Sequence, residues 1–136
     1  MDYRNQLNKI NESHFLISMT PVDGILEIGL FSGMNNSSTV LDLCCGYGEM
    51  LKIWNEAFGI QGIGIDICSE SIQKGRNRLV EHGITDVTLI ESDIFKWDSN
   101  ERYDYVCLSG EEFGGLQNTI LLLEKFVKPR GKLIIG

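Results

Sequence analysis

The stretch LDLCCGYGEM, Leu41 to Met50, constrains the fold more than any other part of the chain. An apolar run carrying one acid leads straight into two glycines, and an amphipathic run follows. A strand, a tight glycine turn and a helix N-terminus give this pattern, and such a turn brings backbone and free N–H groups close to a small ligand. The alternation then repeats. STVLDLCC reads as a strand and GEMLKIWNEAF as a helix; GIGIDI and SESIQKGRNRLVEHG repeat the pair; VTLIES and YDYVCLS are further strands; LQNTILLLEKFV is a helix stopped by Pro129; GKLIIG is the last strand. Nearly continuous apolar strands alternating with helices specify a parallel sheet covered on both faces. Right-handed crossovers make this a doubly wound, Rossmann-like α/β domain of about five strands.

That domain covers residues 38–136, and residues 1–37 read as an N-terminal helical segment placed to act as a lid. Leu7, Ile10, Phe15, Leu16 and Ile17 fit an amphipathic helix or an arm. Thr20 as cap, Pro21 at the first helical position and Asp23 in the first turn start a helix that runs to about Phe31. In the later helices, Leu51, Trp54 and Phe58 share a core face. Ser69 is the expected cap of the helix after GIGIDI, with Ile72, Leu79 and Val80 as its apolar positions and Gly83 as its stop.

A net charge of −7 argues against a broad basic footprint for nucleic acid or anionic lipid, leaving one small patch at Lys74, Arg76 and Arg78. Cys44, Cys45, Cys68 and Cys107 form no C-x-x-C pair and there are two histidines, so no metal site is expected. Reduced, mostly buried thiols fit a cytoplasmic protein. The first residues are too polar for a signal peptide, and no apolar run approaches the roughly 18 residues of a membrane span.

In a doubly wound sheet, ligands bind beyond the C-terminal strand ends, here residues 42–48, 66–69, 92–95 and 109–114. Each of these turns also has a plain structural reading, as a tight connection, a helix cap or a solvated loop. Asp66 stands where an acid grips ribose hydroxyls. With Ser69 available as the cap, Asp66 is free for a ligand. Ser92-Asp93-Ile94-Phe95 offers an acceptor beside apolar groups that flank a planar ring. Ser109-Gly110-Glu111-Glu112-Phe113 is acidic, aromatic and suited to a substrate face or gate. A dinucleotide fingerprint needs a third glycine where Leu51 stands, and Asp42 and Glu49 repel a pyrophosphate. An adenosine ligand with a cationic ammonium or sulfonium suits the turn instead, and S-adenosylmethionine is such a ligand.

VLDLCCGYGEML, GIGIDIC, VTLIESDIF, YDYVCLSG and LLEKFVKPRGKLIIG, in this order and spacing, resemble the class I S-adenosylmethionine-dependent methyltransferases over roughly residues 38 to 136. The resemblance implies Asp42 near the methionine ammonium and Gly46 and Gly48 against the cofactor. Cys44 stands where the family motif has its first glycine. Asp66 matches the ribose-binding acid, Ile67 the residue packing on adenine, Asp93 the acid near the adenine amino group and Ile94 its neighbour beside the ring. Ser109 completes the cofactor-facing set from the fourth turn. VKPRG varies the family's LKPGG turn. The family sheet normally has seven strands, whereas this chain ends at Gly136 in the fifth. KLIIG is then expected to be an exposed apolar edge. A fragment is the favoured explanation, beside a natural truncation or self-association through that edge.

The function implied is methyl transfer from S-adenosylmethionine to a small molecule, or the cofactor-binding part of such an enzyme. The alternative is a non-catalytic S-adenosylmethionine-binding or protein-interaction module. A nicotinamide-dependent oxidoreductase is disfavoured by Leu51 and Asp42. Methyl transfer needs a base only where the acceptor must lose a proton, and Glu111, Glu112, His14 and Tyr3 are the candidates.

Overall fold

The computed structural model describes residues 15–18, 24–109 and 114–136. Its elements run β1 (Phe15–Ser18), α1 (Ile25–Ser32), β2 (Thr39–Leu43), α2 (Glu49–Phe58), β3 (Gln61–Asp66), α3 (Ser69–Glu81), β4 (Val87–Glu91), β5 (Tyr103–Leu108), α4 (Leu116–Glu124) and β6 (Val127–Ile135). The strands form one sheet in the order β1-β6-β5-β2-β3-β4, and every neighbouring pair is parallel. The five strands read from the sequence are all present. The order in which strands are added reverses between β2 and β5, which puts the crevice for a ligand beyond the end of β2.

Phe15–Ser18 is a sixth strand, where the sequence suggested helix or arm. It pairs with Lys132–Ile135, so the β6 edge expected to be bare is covered by this chain itself. Ile134, placed by the sequence on an exposed edge, is fully buried. The miss has a physical cause: a short apolar run carries too little periodicity to separate strand from helix. The helix start at Thr20, Pro21 and Asp23 lies outside the described residues.

Successive side chains on a strand face opposite sides, which divides the core into two layers. Leu41, Leu43, Val106, Leu108 and Leu133 pack with Leu123 and Phe126 beneath α4. Val40, Tyr105, Cys107 and Ile134 pack with Leu51, Trp54 and Ile72 of α2 and α3. The Trp54 indole N–H donates to the Ile25 carbonyl at 2.6 Å, tying α2 to α1. Two helix details differ from the sequence reading. Cys68, not Ser69, occupies the cap of α3, and Val80 is exposed while Ile72 and Leu79 are buried. Helix α4 ends before Pro129, which lies inside β6. There Tyr103 pairs with Val127 and Tyr105 with Lys132, so the extra β6 residues bulge and Pro129 owes the ladder no N–H.

Candidate functional site

The site is built from the C-terminal ends of β2 and β3. Asp42 shares a strand face with Val40, so its carboxyl falls on the side covered by α2 and α3 and is 1 % exposed. Oδ1 has no hydrogen-bond partner among the described residues. Burial, and then the charge of Asp66, push the Asp42 pKa up to about 8. Its cross-strand neighbours are Cys107 and Gly64. Burial, then the Asp42 charge, hold the Cys107 thiol well above its ordinary range.

After Leu43 the backbone turns through three left-handed residues, Cys44 (φ 64°), Gly46 (φ 60°) and Gly48 (φ 77°). The Cys45 N–H extends the β2–β3 ladder to the Ile65 carbonyl at 2.9 Å, and the Gly48 N–H closes the turn onto the Cys45 carbonyl at 2.9 Å. The two glycines differ in what they spare. A Cβ on Gly48 would lie 2.9 Å from the Leu89 side chain, whereas one on Gly46 would meet nothing within 4 Å. Gly46 therefore faces open space, as the wall of a ligand site does. Cys44 holds, at a cost of about 1–2 kcal/mol for an ordinary side chain, a left-handed conformation that glycine takes freely. Its side chain regains part of this by packing against the core. Cys44→Gly should unfold in urea within about 1 kcal/mol of wild type, and the β-branched Cys44→Val should lose about 2 kcal/mol. Equal losses for both variants would refute the strain at this position.

Asp66 is not left free. Its Oδ2 accepts the Gly46 N–H and its Oδ1 the Cys68 N–H, both at 2.8 Å. One carboxylate thus ties the first turn to the second. It has about four acceptor positions, so two remain available to a ligand. The third turn is coupled to the second through the Ser92 N–H, which donates to the Asp66 carbonyl at 2.9 Å. Within it, Asp93 Oδ1 accepts the Phe95 N–H at 2.9 Å. Ile94 is 5 % exposed and belongs to the core layer beneath α4, while Phe95 is 61 % exposed and Ile67 is 72 % exposed. Phe95, rather than Ile94, is the apolar side chain presented at this turn. Alternation of burial after an acid would have pointed to it. Ser109 is half-buried at the end of β5. His14, Tyr3, Glu111 and Glu112 lie outside the described residues. Among the described residues no group of His, Cys, Asp and Glu could hold a metal ion.

The basic patch at Lys74, Arg76 and Arg78 is engaged within the fold. Arg76 donates to the Leu89 carbonyl, Arg78 pairs with Glu49, and Lys74 and Arg78 both lie over the Tyr47 ring. A separate cavity of about 280 Å³ sits at the other end of the sheet, lined by Asn35, Ser38, Asp104, Arg130 and Lys132. It includes none of the turns that carry the acids.

Residues 34–136 match the family described as a methyltransferase domain. The chain belongs to that family. This methyltransferase domain is 33 % identical over 112 residues to the uncharacterized protein YjhP of Escherichia coli, covering 80 % of this chain and 45 % of YjhP. It is 28 % identical over 104 residues to the demethylmenaquinone methyltransferase of Shouchella clausii, covering 71 % of this chain and 43 % of that one. The crystal structure of an S-adenosylmethionine-dependent methyltransferase from Thiobacillus denitrificans, in complex with S-adenosylhomocysteine, matches it with a TM-score of 0.77 at 28 % identity, covering 98 % of this chain and 54 % of that one. The chain therefore spans about half the length of the curated relatives it matches. The methyltransferase domain has the class I fold that the motif series implied.

Proposed function

We propose that this methyltransferase domain binds S-adenosylmethionine across the turn from Asp42 to Gly48 and serves methyl transfer to a small-molecule acceptor. One observation carries the reading: the Asp66 carboxylate is tied to a glycine turn whose Gly46 faces open space, and Asp42, at the end of β2 just before that turn, is buried with an oxygen unpartnered among the described residues. A cationic ligand relieves that arrangement, and a pyrophosphate would worsen it. The residues present therefore fit the cofactor found with the Thiobacillus denitrificans relative.

In this reading Asp42 faces the cationic amino-acid end, and Gly46 and Gly48 keep backbone close to the ligand. Asp66 accepts from the ribose hydroxyls with the lone pairs its N–H contacts leave. Ile67 and Phe95 flank the adenine, with Asp93 near its amino group. Cys44 and Ser109 shape the remaining walls, and Ile94 backs the third turn from the core layer beneath α4. When bound, the cofactor supplies an electrophilic methyl group. The chain's own residues bind it, orient it and shield it from water. A base is required only where the acceptor loses a proton, and Glu111, Glu112, His14 and Tyr3 stay the candidates.

A small acceptor, rather than nucleic acid, suits the net charge of −7 and the engaged basic patch. Four free cysteines suit the reducing cytoplasm, and no helix among the described residues is long and apolar enough to cross a membrane. Calorimetric titration of the purified chain with S-adenosylhomocysteine, and with NAD as control, tests the cofactor reading. Micromolar binding of the first and none of the second is the expected result. Binding of NAD alone would return the turn to the dinucleotide class.

A further inference from the structure

We propose that Tyr47 is a positioning residue for the cofactor, a latch through which α3 fixes the glycine turn; this rests on reading that turn as the cofactor site. Tyr47 stands between two glycines in left-handed conformations, a backbone that has little stiffness of its own. Its ring lies under two cations of α3. Lys74 Nζ is 4.8 Å from the ring centroid and Arg78 Cζ 5.4 Å. These two residues are four apart on one helix, so they reach the same ring from successive turns.

The same helix holds the flanking residue as well. Arg78 pairs with Glu49, the first residue of α2, at 3.0 Å. Contact between helix and turn is close enough to need a glycine: a Cβ at Gly75 would lie 2.4 Å from the Tyr47 carbonyl oxygen. Lys74, Gly75 and Arg78 thus form a bed on which Tyr47 sits. The Tyr47 ring belongs to neither core layer and remains partly exposed, so its contacts serve the placement of the turn rather than core burial. The turn it places carries the Gly46 N–H to Asp66 and the open face at Gly46.

The experiment compares wild type, Tyr47→Ala and Tyr47→Phe in the full chain. Affinity for S-adenosylhomocysteine is measured by calorimetry, amide hydrogen exchange at Gly48 in the ligand-free protein, and stability by urea. Tyr47→Ala should lose about tenfold in affinity and exchange about tenfold faster at Gly48, with a urea stability lower by no more than about 1.4 kcal/mol, the equivalent of that tenfold. Tyr47→Phe should restore both readouts, because the ring face and not the hydroxyl meets the cations. Wild-type affinity in Tyr47→Ala, or a Tyr47→Phe that behaves like Tyr47→Ala, overturns the proposal alone. Failure of wild type to bind S-adenosylhomocysteine overturns the cofactor reading and the latch together.

Discussion

Asp66→Ala should weaken S-adenosylhomocysteine binding by roughly 100-fold or more. Two losses combine. The first, on the proposed cofactor reading, is direct: each hydrogen bond from a ribose hydroxyl to the carboxylate contributes about 1.5–3 kcal/mol. The second acts through the backbone. Asp66 accepts the Gly46 and Cys68 N–H groups at 2.8 Å, and alanine leaves both without that acceptor. The partly buried Gly46 N–H costs about 1 kcal/mol when abandoned, the exposed Cys68 N–H less because water replaces its acceptor, and the glycine turn loses its tie to β3. Since 1.4 kcal/mol is tenfold in affinity, losing two such ribose contacts alone brings the loss to about two orders of magnitude or more. The urea midpoint should fall too, by about 1–2 kcal/mol in stability, which a residue serving only the ligand would not produce. Asp66→Asn keeps one acceptor but turns an N–H donor toward the other backbone N–H, so its loss should fall between. Affinity of Asp66→Ala within about threefold of wild type would remove Asp66 from the site.

The sequence locates Asp66 but misreads its local partners, and the reason is instructive. Strand–helix alternation over residues 38–136 is a long-range pattern, and five strands with Asp42, Gly46, Gly48 and Asp66 at their ends follow from it. Caps are decided by single hydrogen bonds. Ser69 looks like a cap by residue type, yet the chain leaves β3 in an extended conformation at Cys68, and the Asp66 carboxylate reaches back to that N–H instead. The Cys44 position shows the reverse. A missing glycine in a motif reads as a departure, yet the backbone adopts the glycine conformation anyway, because pairing of Cys45 with Ile65 dictates the turn. Strand β1 was illegible for a third reason. Its four residues gain their conformation from the open edge of β6, a tertiary effect that no local pattern carries. The Tyr47 contacts with Lys74 and Arg78 join residues far apart in sequence, and composition gives no hint of them.

Asp42→Asn should alter both the pH dependence of stability and the proton balance of binding. The Asp42 carboxyl has its pKa raised from 3.8 to about 8, by burial first and by Asp66 second. Between these values the folded protein holds a proton that the unfolded chain has released. Stability contributed by Asp42 is therefore intact below about pH 4 and is lost as pH rises toward 8, by at most about 1.4 kcal/mol per pH unit. Asparagine is nearly isosteric and never ionises, so the variant should lack this decline and exceed wild type in urea stability above pH 8. Binding runs the other way. A cationic ligand favours the carboxylate, so S-adenosylmethionine affinity in wild type should rise with pH toward 8, and binding at pH 7 should expel a proton from Asp42. The ligand's own α-amino group, with a pKa of about 8, is already mostly protonated at pH 7 and so adds little to the difference between the two proteins. Calorimetry in two buffers of different ionisation enthalpy isolates the difference. Wild type should release close to one proton more than Asp42→Asn at pH 7, and the variant's affinity should fall further behind at pH 8 than at pH 6. Equal proton release by the two proteins, together with equal affinities at pH 6 and pH 8, would mean that Asp42 does not meet the ligand's charge, and the electrostatic reason for choosing a sulfonium cofactor over a pyrophosphate would be gone.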